Sequence, residues 1–263
     1  MKEIVLNNKG YWDLDRILYE NTEEQIAQED SSSKIQCIKI DGRKFYKKYF
    51  DGNIEDFDEK IEWYNSILLP CILKQFDLNH ARYFLAIEKG KKFLLSPSFL
   101  KEGERLILGD DILGDAFLSS KENIGIDEKL EKIKEYLQKK GASTEEIQEV
   151  QLEHLKQIFA VKFLGVKNFH AGNWGLIENE NGEVVRTCPF MDYESACIEM
   201  KNEAIDEDIW ENFVLDGKRG LEDFIKYYEK FPEFKEFVQE AYKHFSLRKA
   251  LEDSYEETHC EID

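Results

Sequence analysis

The chain has 263 residues, 42% of them hydrophobic and 35% charged, which is enough to bury one large core or two smaller ones. This composition excludes a disordered chain, a collagen and a small disulfide-rich protein. The 55 acidic residues outnumber the 36 basic residues and give a formal net charge of −19. That charge opposes general attraction to nucleic acids and to anionic membranes.

The start of the chain has no apolar run of signal-peptide length, and no segment reaches the roughly 18 apolar residues of a transmembrane helix. The sequence therefore predicts a cytoplasmic protein without a membrane partner or a direct nucleic-acid partner, and leaves secretion as an effector open. The five cysteines are scattered and form no CxxC or Cys/His cluster, so we expect thiols that bind no metal.

The first hundred residues are rich in β-formers. Residues 34–50 hold two such runs around Asp41-Gly42, a dipeptide typical of the type I′ hairpin turn. A second pair of runs turns at Lys89-Gly90. Between the pairs, apolar residues recur at helical spacing up to Pro70, where we expect the helix to end or kink. The pattern predicts the order β-β-α-β-β.

The later part of the chain has helical patterns. Residues 121–140 form a charged amphipathic segment that Gly141 interrupts. Ser143, with Glu146 three residues later, predicts a capping box that opens a helix ending near Gly165. From Asn202 onward, the spacing of aromatic and aliphatic residues predicts several further packed helices.

Polar residues with metal-binding chemistry flank a predicted hairpin between these helices. Two short apolar runs surround Asn181-Gly182, which predicts a turn centred on that pair. In this register Asn173 lies opposite Phe190, and Asp192 lies at the same open end of the hairpin. An amide oxygen and a carboxylate are ligands that Mg²⁺ accepts together with substrate phosphates.

These parts are those of a protein-kinase-like phosphotransferase. From about Ser31 to Ala196 the sequence resembles the HipA-like serine/threonine kinases, particularly short members that lack the extra N-terminal subdomain. The segments FLGVKNFHAGNWGLI and CPFMDYESA look like that family's Asp-x-His-x-x-Asn catalytic loop and Pro-x-x-Asp metal-binding segment. The resemblance implies an α+β bilobal kinase-like fold, with a β-rich N-lobe at 1–97 and a helical C-lobe at 98–263 that bind ATP between them.

In the C-lobe, the resemblance implies that Asn173 and Asp192 bind Mg²⁺ and that His170 is a structural residue of the catalytic loop. Action of His170 as a base is the alternative. The position of the family's catalytic aspartate is occupied by Asn168. An amide cannot act as a general base. Two explanations stay open: a deliberate substitution that traps a nucleotide or substrate complex, and a natural pseudokinase that binds ATP as a sensor or interaction module.

In the N-lobe, the resemblance implies a lysine that anchors ATP, and position favours Lys48. Lys47 is the alternative, because neighbouring residues of a strand face opposite sides and a shift of one residue exchanges them. Glu62 is the expected partner of this lysine. The expected nucleotide contacts are those of a phosphate loop and of an interlobe hinge: Ser31, Ser32, Ser33, Lys34, Ser98 and Phe99.

The function implied by the resemblance is transfer of the γ-phosphoryl group of ATP to a serine or threonine hydroxyl. The substrate is an unidentified protein or peptide, and an antitoxin-like protein is a candidate partner. Transfer of a different group, such as AMP, by the same fold is a further alternative.

Overall fold

The computed structural model describes residues 11–17, 19–21, 35–49, 57–114, 125–166, 169–193 and 224–257. These residues form two compact units. Unit 1 comprises Met1–Lys74, His80–Phe99 and Ser246–Asp263, and unit 2 comprises Gln75–Asn79 and Leu100–Phe245. The division of the chain into an N-lobe at 1–97 and a C-lobe at 98–263 stays a prediction.

Unit 1 contains a six-stranded sheet with the strand order β1-β5-β6-β4-β3-β2. Strand β1 is parallel to β5, and the other neighbours are antiparallel. The strands are β1 (Trp12–Asp13), β2 (Tyr19–Asn21), β3 (Ile35–Ile40), β4 (Arg43–Tyr49), β5 (Phe84–Glu88) and β6 (Lys91–Pro97).

Two predicted hairpins of this sheet are confirmed. Asp41 and Gly42 have φ angles of 48° and 76°, and Lys89 and Gly90 have φ angles of 49° and 74°. Two successive positive φ angles define the type I′ turn, whose twist matches that of the strands it joins. Both turns therefore set the registers β3–β4 and β5–β6 locally.

The two faces of the sheet pack against different partners. One face buries an aromatic cluster that includes Trp12, Phe45 and Phe93. On the other face, Leu85 and Leu94 pack with Ile67 of helix α1, which spans Phe57–Gln75.

Helix α1 continues through Pro70 to Gln75, so of the two expected outcomes, an end or a kink, the end is wrong. A proline inside a helix gives up one backbone hydrogen bond, here the bond to the carbonyl group of Ser66. The next turn is held by burial instead, since Ile72 and Leu73 are 4% and 0% exposed.

Unit 2 combines a three-stranded sheet with most of the described helices. Its elements are β7 (Arg105–Leu108), α2 (Gly109–Leu113), α3 (Ile126–Lys139), α4 (Thr144–Leu164), β8 (Gly175–Glu178), β9 (Val184–Thr187) and α5 (Pro232–His244); α6 (Leu247–Glu257) lies in unit 1. Of the predicted tail, residues 202–223 lie outside the described residues, and the helical pattern after them is confirmed by α5 and α6.

The predicted capping box is confirmed at the start of α4. The Ser143 hydroxyl accepts the Glu146 N–H at 3.2 Å, and the Glu146 carboxylate accepts the Ser143 N–H at 2.7 Å. The helix ends at Gly165, which adopts a left-handed φ of 62°.

The β8–β9 hairpin has the predicted register but a different turn. Leu176 pairs with Thr187, as predicted. The connection, however, is a longer loop in which the Asn179 side-chain oxygen accepts the N–H groups of Asn181 and Glu183, both at 3.0 Å. The asparagine side chain replaces the expected two-residue turn.

No helix in the described part of the chain is both long and apolar enough to cross a membrane.

Candidate active site

A short 3₁₀ turn, Ala171–Asn173, follows the described start of the predicted catalytic loop. His170 is exposed, and its Nδ1 accepts the Gly172 N–H at 3.0 Å. The Asn173 N–H in turn donates to the His170 carbonyl oxygen at 3.0 Å. These bonds fix the direction of Asn173, which is 5% exposed.

Trp174 anchors this turn from its C-terminal side. Its indole is fully buried, and its carbonyl oxygen accepts the Gly109 N–H at 2.9 Å. A Cβ on Gly109 would lie 2.4 Å from the indole and 2.6 Å from the Ala171 carbonyl oxygen. Only glycine fits there without displacing the turn, so the start of α2 is packed closely against the loop.

The segment after β9 brings Asp192 to the same end of the hairpin. The Phe169 and Phe190 rings meet at 5.7 Å, which joins the residue before His170 to the segment that leads to Asp192. Phe190 and Tyr193 are fully buried on either side of Asp192. Asp192 itself has a φ of 58°, a left-handed conformation that is uncommon for a residue with a side chain and is often found at functional sites.

Lys47 has a structural environment. Its side chain is 4% exposed, its Nζ lies 2.6 Å from a Glu88 carboxylate oxygen, and it sits 4.2 Å from the centre of the Phe93 ring. The Tyr19 hydroxyl donates to the same carboxylate, and this bond raises the pKa of Tyr19 to about 12. Lys47 therefore belongs to the aromatic face of the sheet.

Lys48 lies on the opposite face. It pairs across the sheet with Leu94, and directly paired residues share a face. Leu94 packs with Ile67 of α1. Lys48 thus lies on the α1 face, while Lys47 points away from it.

The remaining predicted residues have these positions. Ser98 and Phe99 directly follow β6, and the Ser98 N–H donates to the Lys44 carbonyl oxygen at 2.8 Å. Glu62 lies in α1, with its side chain outside the described residues. The others lie wholly outside the described residues: Ser31, Ser32, Ser33, Lys34 and Asn168.

Sequence reasoning missed a buried polar cluster behind Trp174. His154 of α4 is fully buried, with its ring 4.3 Å from the Trp174 ring. Gln157, one turn further, donates to the Cys188 carbonyl oxygen at 2.7 Å. Among the described residues no partner is found for the His154 ring nitrogens, Gln157 Oε1, Trp174 Nε1 and Thr187 Oγ1. The sequence offers no signal for this cluster, because a histidine at an apolar helix position has no distinctive spacing.

Glu178 is a paired, structural carboxylate of unit 2. Glu178 is fully buried and contacts Arg105 at 2.6 Å, Tyr136 at 2.6 Å and Lys140 at 2.8 Å. Burial raises the pKa of Glu178, but the three partners lower it more, to about 2. Such a carboxylate ties three elements together and is not available for chemistry.

Asn173 and Asp192 suit a hard cation. They offer an amide and a carboxylate oxygen, and Mg²⁺ is commonly held by one or two carboxylates together with substrate phosphates. In the described ranges no group of three or more His, Cys, Asp and Glu side chains is gathered for a metal. The donors present therefore fit Mg²⁺ better than a zinc site, which needs more nitrogen or sulfur ligands.

Acid should destabilise the protein through His154. Burial, and secondarily the charge of Lys129, lower the pKa of His154 from 6.5 to about 3. Below pH 6.5 His154 is therefore protonated in the unfolded chain but stays neutral in the folded chain. The free energy of unfolding falls as the pH drops below 6.5. We expect the free energy of unfolding to fall by up to about 1.4 kcal/mol per pH unit between pH 6.5 and 5.

Urea unfolding of wild type and His154→Phe across this range tests the expectation. The variant should lose the slope, whereas His244→Gln, at an exposed histidine, should keep it. Carboxylates, with ordinary values near 4.5, contribute mainly at lower pH. A slope unchanged in His154→Phe would contradict the assignment.

Comparison with solved structures shows what this architecture is similar to. The chain resembles the Helicobacter pylori proinflammatory kinase CtkA, with a TM-score of 0.57 and 14% identity over 81% of this chain and 69% of that one. It also resembles a Shewanella oneidensis MR-1 toxin–antitoxin complex of HipA, HipB and operator DNA, with a TM-score of 0.45 and 10% identity over 91% and 65%.

Sequence comparison matches the chain to no family model and to no curated protein. The structural likeness therefore speaks for the fold. The predicted mixed α+β, kinase-like fold is confirmed by the likeness to the kinase CtkA.

Proposed function

We propose that the chain is an ATP-dependent serine/threonine kinase of the HipA-like type. The observation that carries the proposal is the geometry of unit 2. Within a kinase-like fold, buried Asn173 and left-handed Asp192 lie on two segments joined by the Phe169–Phe190 contact. Phosphoryl transfer depends chiefly on positioning and charge stabilisation, and such a pair of oxygen ligands serves both.

Mg²⁺ is the metal proposed for Asn173 and Asp192. When bound, it would neutralise phosphate charge and hold the transferred group in place. The surroundings of each residue support this role, because Asn173 lies in the 3₁₀ turn and Asp192 lies between buried aromatic residues.

Lys48 is proposed to contact the phosphates of ATP, with Glu62 as its partner. This proposal is supported by the position of Lys48 on the face of the sheet that packs against α1, whereas Lys47 lies on the other face. The residues Ser31, Ser32, Ser33 and Lys34 remain predicted phosphate contacts. For adenine, Ser98 and Phe99 remain predicted, with the restriction that the Ser98 N–H is already used by Lys44.

The acceptor is proposed to be a serine or threonine of a protein or peptide. CtkA is a kinase, and the HipA complex contains the protein HipB and operator DNA. An antitoxin-like partner of this chain stays a prediction.

A second candidate function is favoured by one residue. Asn168 stands where the family has its catalytic aspartate, so the chain is alternatively a pseudokinase that binds ATP as a sensor or interaction module.

Loss of the proposed metal ligand should weaken nucleotide binding. We expect Asp192→Ala to raise the Kd for ATP in the presence of Mg²⁺ by about tenfold or more, which corresponds to about 1.4 kcal/mol. Isothermal titration calorimetry measures this directly. Asp77→Ala is the matched control, because Asp77 also has a left-handed φ, of 53°, but is exposed outside the site. Equal ATP affinity in both variants would refute the site.

Substitution of Lys48 should change ATP affinity, whereas substitution of Lys47 should change the stability of the fold. We expect Lys48→Met to weaken ATP binding by about tenfold, because a phosphate contact is lost. Lys47→Met should instead lower the free energy of unfolding by about 1–3 kcal/mol, since it leaves Glu88 without its cation. Calorimetry and urea unfolding of both variants check this, and a reversed outcome would assign ATP to Lys47.

Phosphate incorporation by the unmodified chain and by Asn168→Asp separates the two candidate functions. The kinase proposal expects the unmodified chain to label itself or casein with phosphate from ATP. If only Asn168→Asp labels, the chain is a silenced kinase. If neither labels but both bind ATP, the sensor function holds. Intact-mass measurement distinguishes phosphate from an AMP adduct.

A further inference from the structure

A second carboxylate lies against the candidate catalytic loop. The Asp110 Oδ2 is 3.6 Å from the point that a Cβ on Gly172 would occupy, and the His170 ring is 2.9 Å from the same point. Gly172 lies between His170 and Asn173 in the loop. The carboxylate of Asp110 and the imidazole of His170 therefore border the same small region, although 62 positions separate Asp110 from Gly172 in the sequence.

The backbone holds Asp110 in this place. The preceding residue, Gly109, donates its N–H to the Trp174 carbonyl oxygen and is packed against the indole. Leu108, at the end of β7, pairs with Gly175 at the start of β8, directly after the loop. The Asp110 carbonyl oxygen accepts the Gly114 N–H at 3.0 Å. These backbone contacts therefore hold the segment that carries the Asp110 carboxylate in a fixed position relative to the loop.

Asp110 also differs from the structural carboxylates of unit 2. Glu178 has three partners, and Glu104 forms two hydrogen bonds of 2.6 Å with Arg186. The half-buried side chain of Asp110 makes no hydrogen bond or ion pair with the described residues. The Asp110 carboxylate is therefore not engaged in the structural pairing that holds Glu178 and Glu104.

We propose that Asp110 is the general base of the phosphoryl transfer, in the role that Asn168 cannot fill. The proposal rests on the proposed kinase function. The acceptor hydroxyl oxygen forms a bond to the γ-phosphorus of ATP while the hydroxyl proton passes to the Asp110 carboxylate. At the same time, the bond between the γ-phosphorus and the β,γ-bridging oxygen breaks. ADP leaves with the bridging oxygen, and the proton passes from Asp110 to solvent.

Asp111 provides a matched control. It occupies the same first turn of α2, but it is exposed, and its charge acts on Tyr136. The pKa of Tyr136 is raised by burial, by the Glu178 hydrogen bond and, to a smaller extent, by Asp111. Removing the Asp111 charge alters the charge of α2 by the same amount and leaves the Asp110 carboxylate in place.

The test measures two quantities on the full chain: the Kd for ATP with Mg²⁺, and the rate of phosphate incorporation into casein and into the chain itself. We expect Asp110→Asn to lower the rate about 10²–10⁴-fold and to leave the Kd within about threefold. Asp111→Asn should match wild type. Asp110→Glu should retain more activity than Asp110→Asn, and adding Asn168→Asp to Asp110→Asn should restore activity at least about tenfold.

Each contrary result has its own meaning. An Asp110→Asn rate equal to that of Asp111→Asn overturns the role of Asp110 while leaving the kinase function intact. Loss of ATP binding in Asp110→Asn makes Asp110 a ligand of the nucleotide or metal instead of a base. A wild type that binds ATP but labels nothing, beside an active Asn168→Asp, also overturns it. Failure of wild type to bind ATP defeats the kinase proposal itself.

Discussion

The packing of Trp174 is the constraint on which the rest of the candidate site depends. Its indole is buried between His154 of α4 and the backbone of Gly109, while its own carbonyl group fixes the start of α2. Because it directly follows Asn173, any shift of the indole moves a proposed metal ligand. Truncation of a buried tryptophan typically costs about 3–5 kcal/mol, so the site and the core of unit 2 are stabilised by the same contact.

Two kinds of carboxylate bear on the candidate site among the described residues. Glu178 and Glu104 form ion pairs with cationic side chains and connect strands and helices, so their charges stabilise the fold. Asp110 and Asp192 lie near the loop. A net charge of −19 is compatible with an anionic nucleotide only if cations act locally, and Lys48 and Mg²⁺ are the proposed local cations.

Local features of the fold could be predicted, and features that depend on distant residues could not. The turns at Asp41-Gly42 and Lys89-Gly90 and the capping box at Ser143 each rest on a few neighbouring residues whose chemistry decides the backbone. Strands β1, β2 and β7 have two to four residues, too few to show alternation. The helix passes Pro70 because tertiary burial outweighs one lost hydrogen bond.

The candidate site shows the same division. Asn173 and Asp192 could be found from motif spacing, since the hairpin that joins them is short. Position in the sequence favoured Lys48 but left Lys47 open, because the choice depends on which face of the sheet α1 covers. Asp110 and His154 could not be found at all, since each meets the loop only through the folding of elements far away in sequence.

The division into units bears on how the protein can be dissected. Unit 1 draws on three separate stretches of the chain, and its last stretch carries α6. No single cut can release this unit whole, because a fragment that stops after β6 lacks the C-terminal helix, and one that begins after β6 lacks the sheet. Study of unit 1 in isolation therefore calls for a linker that replaces the intervening residues, or for two chains that associate.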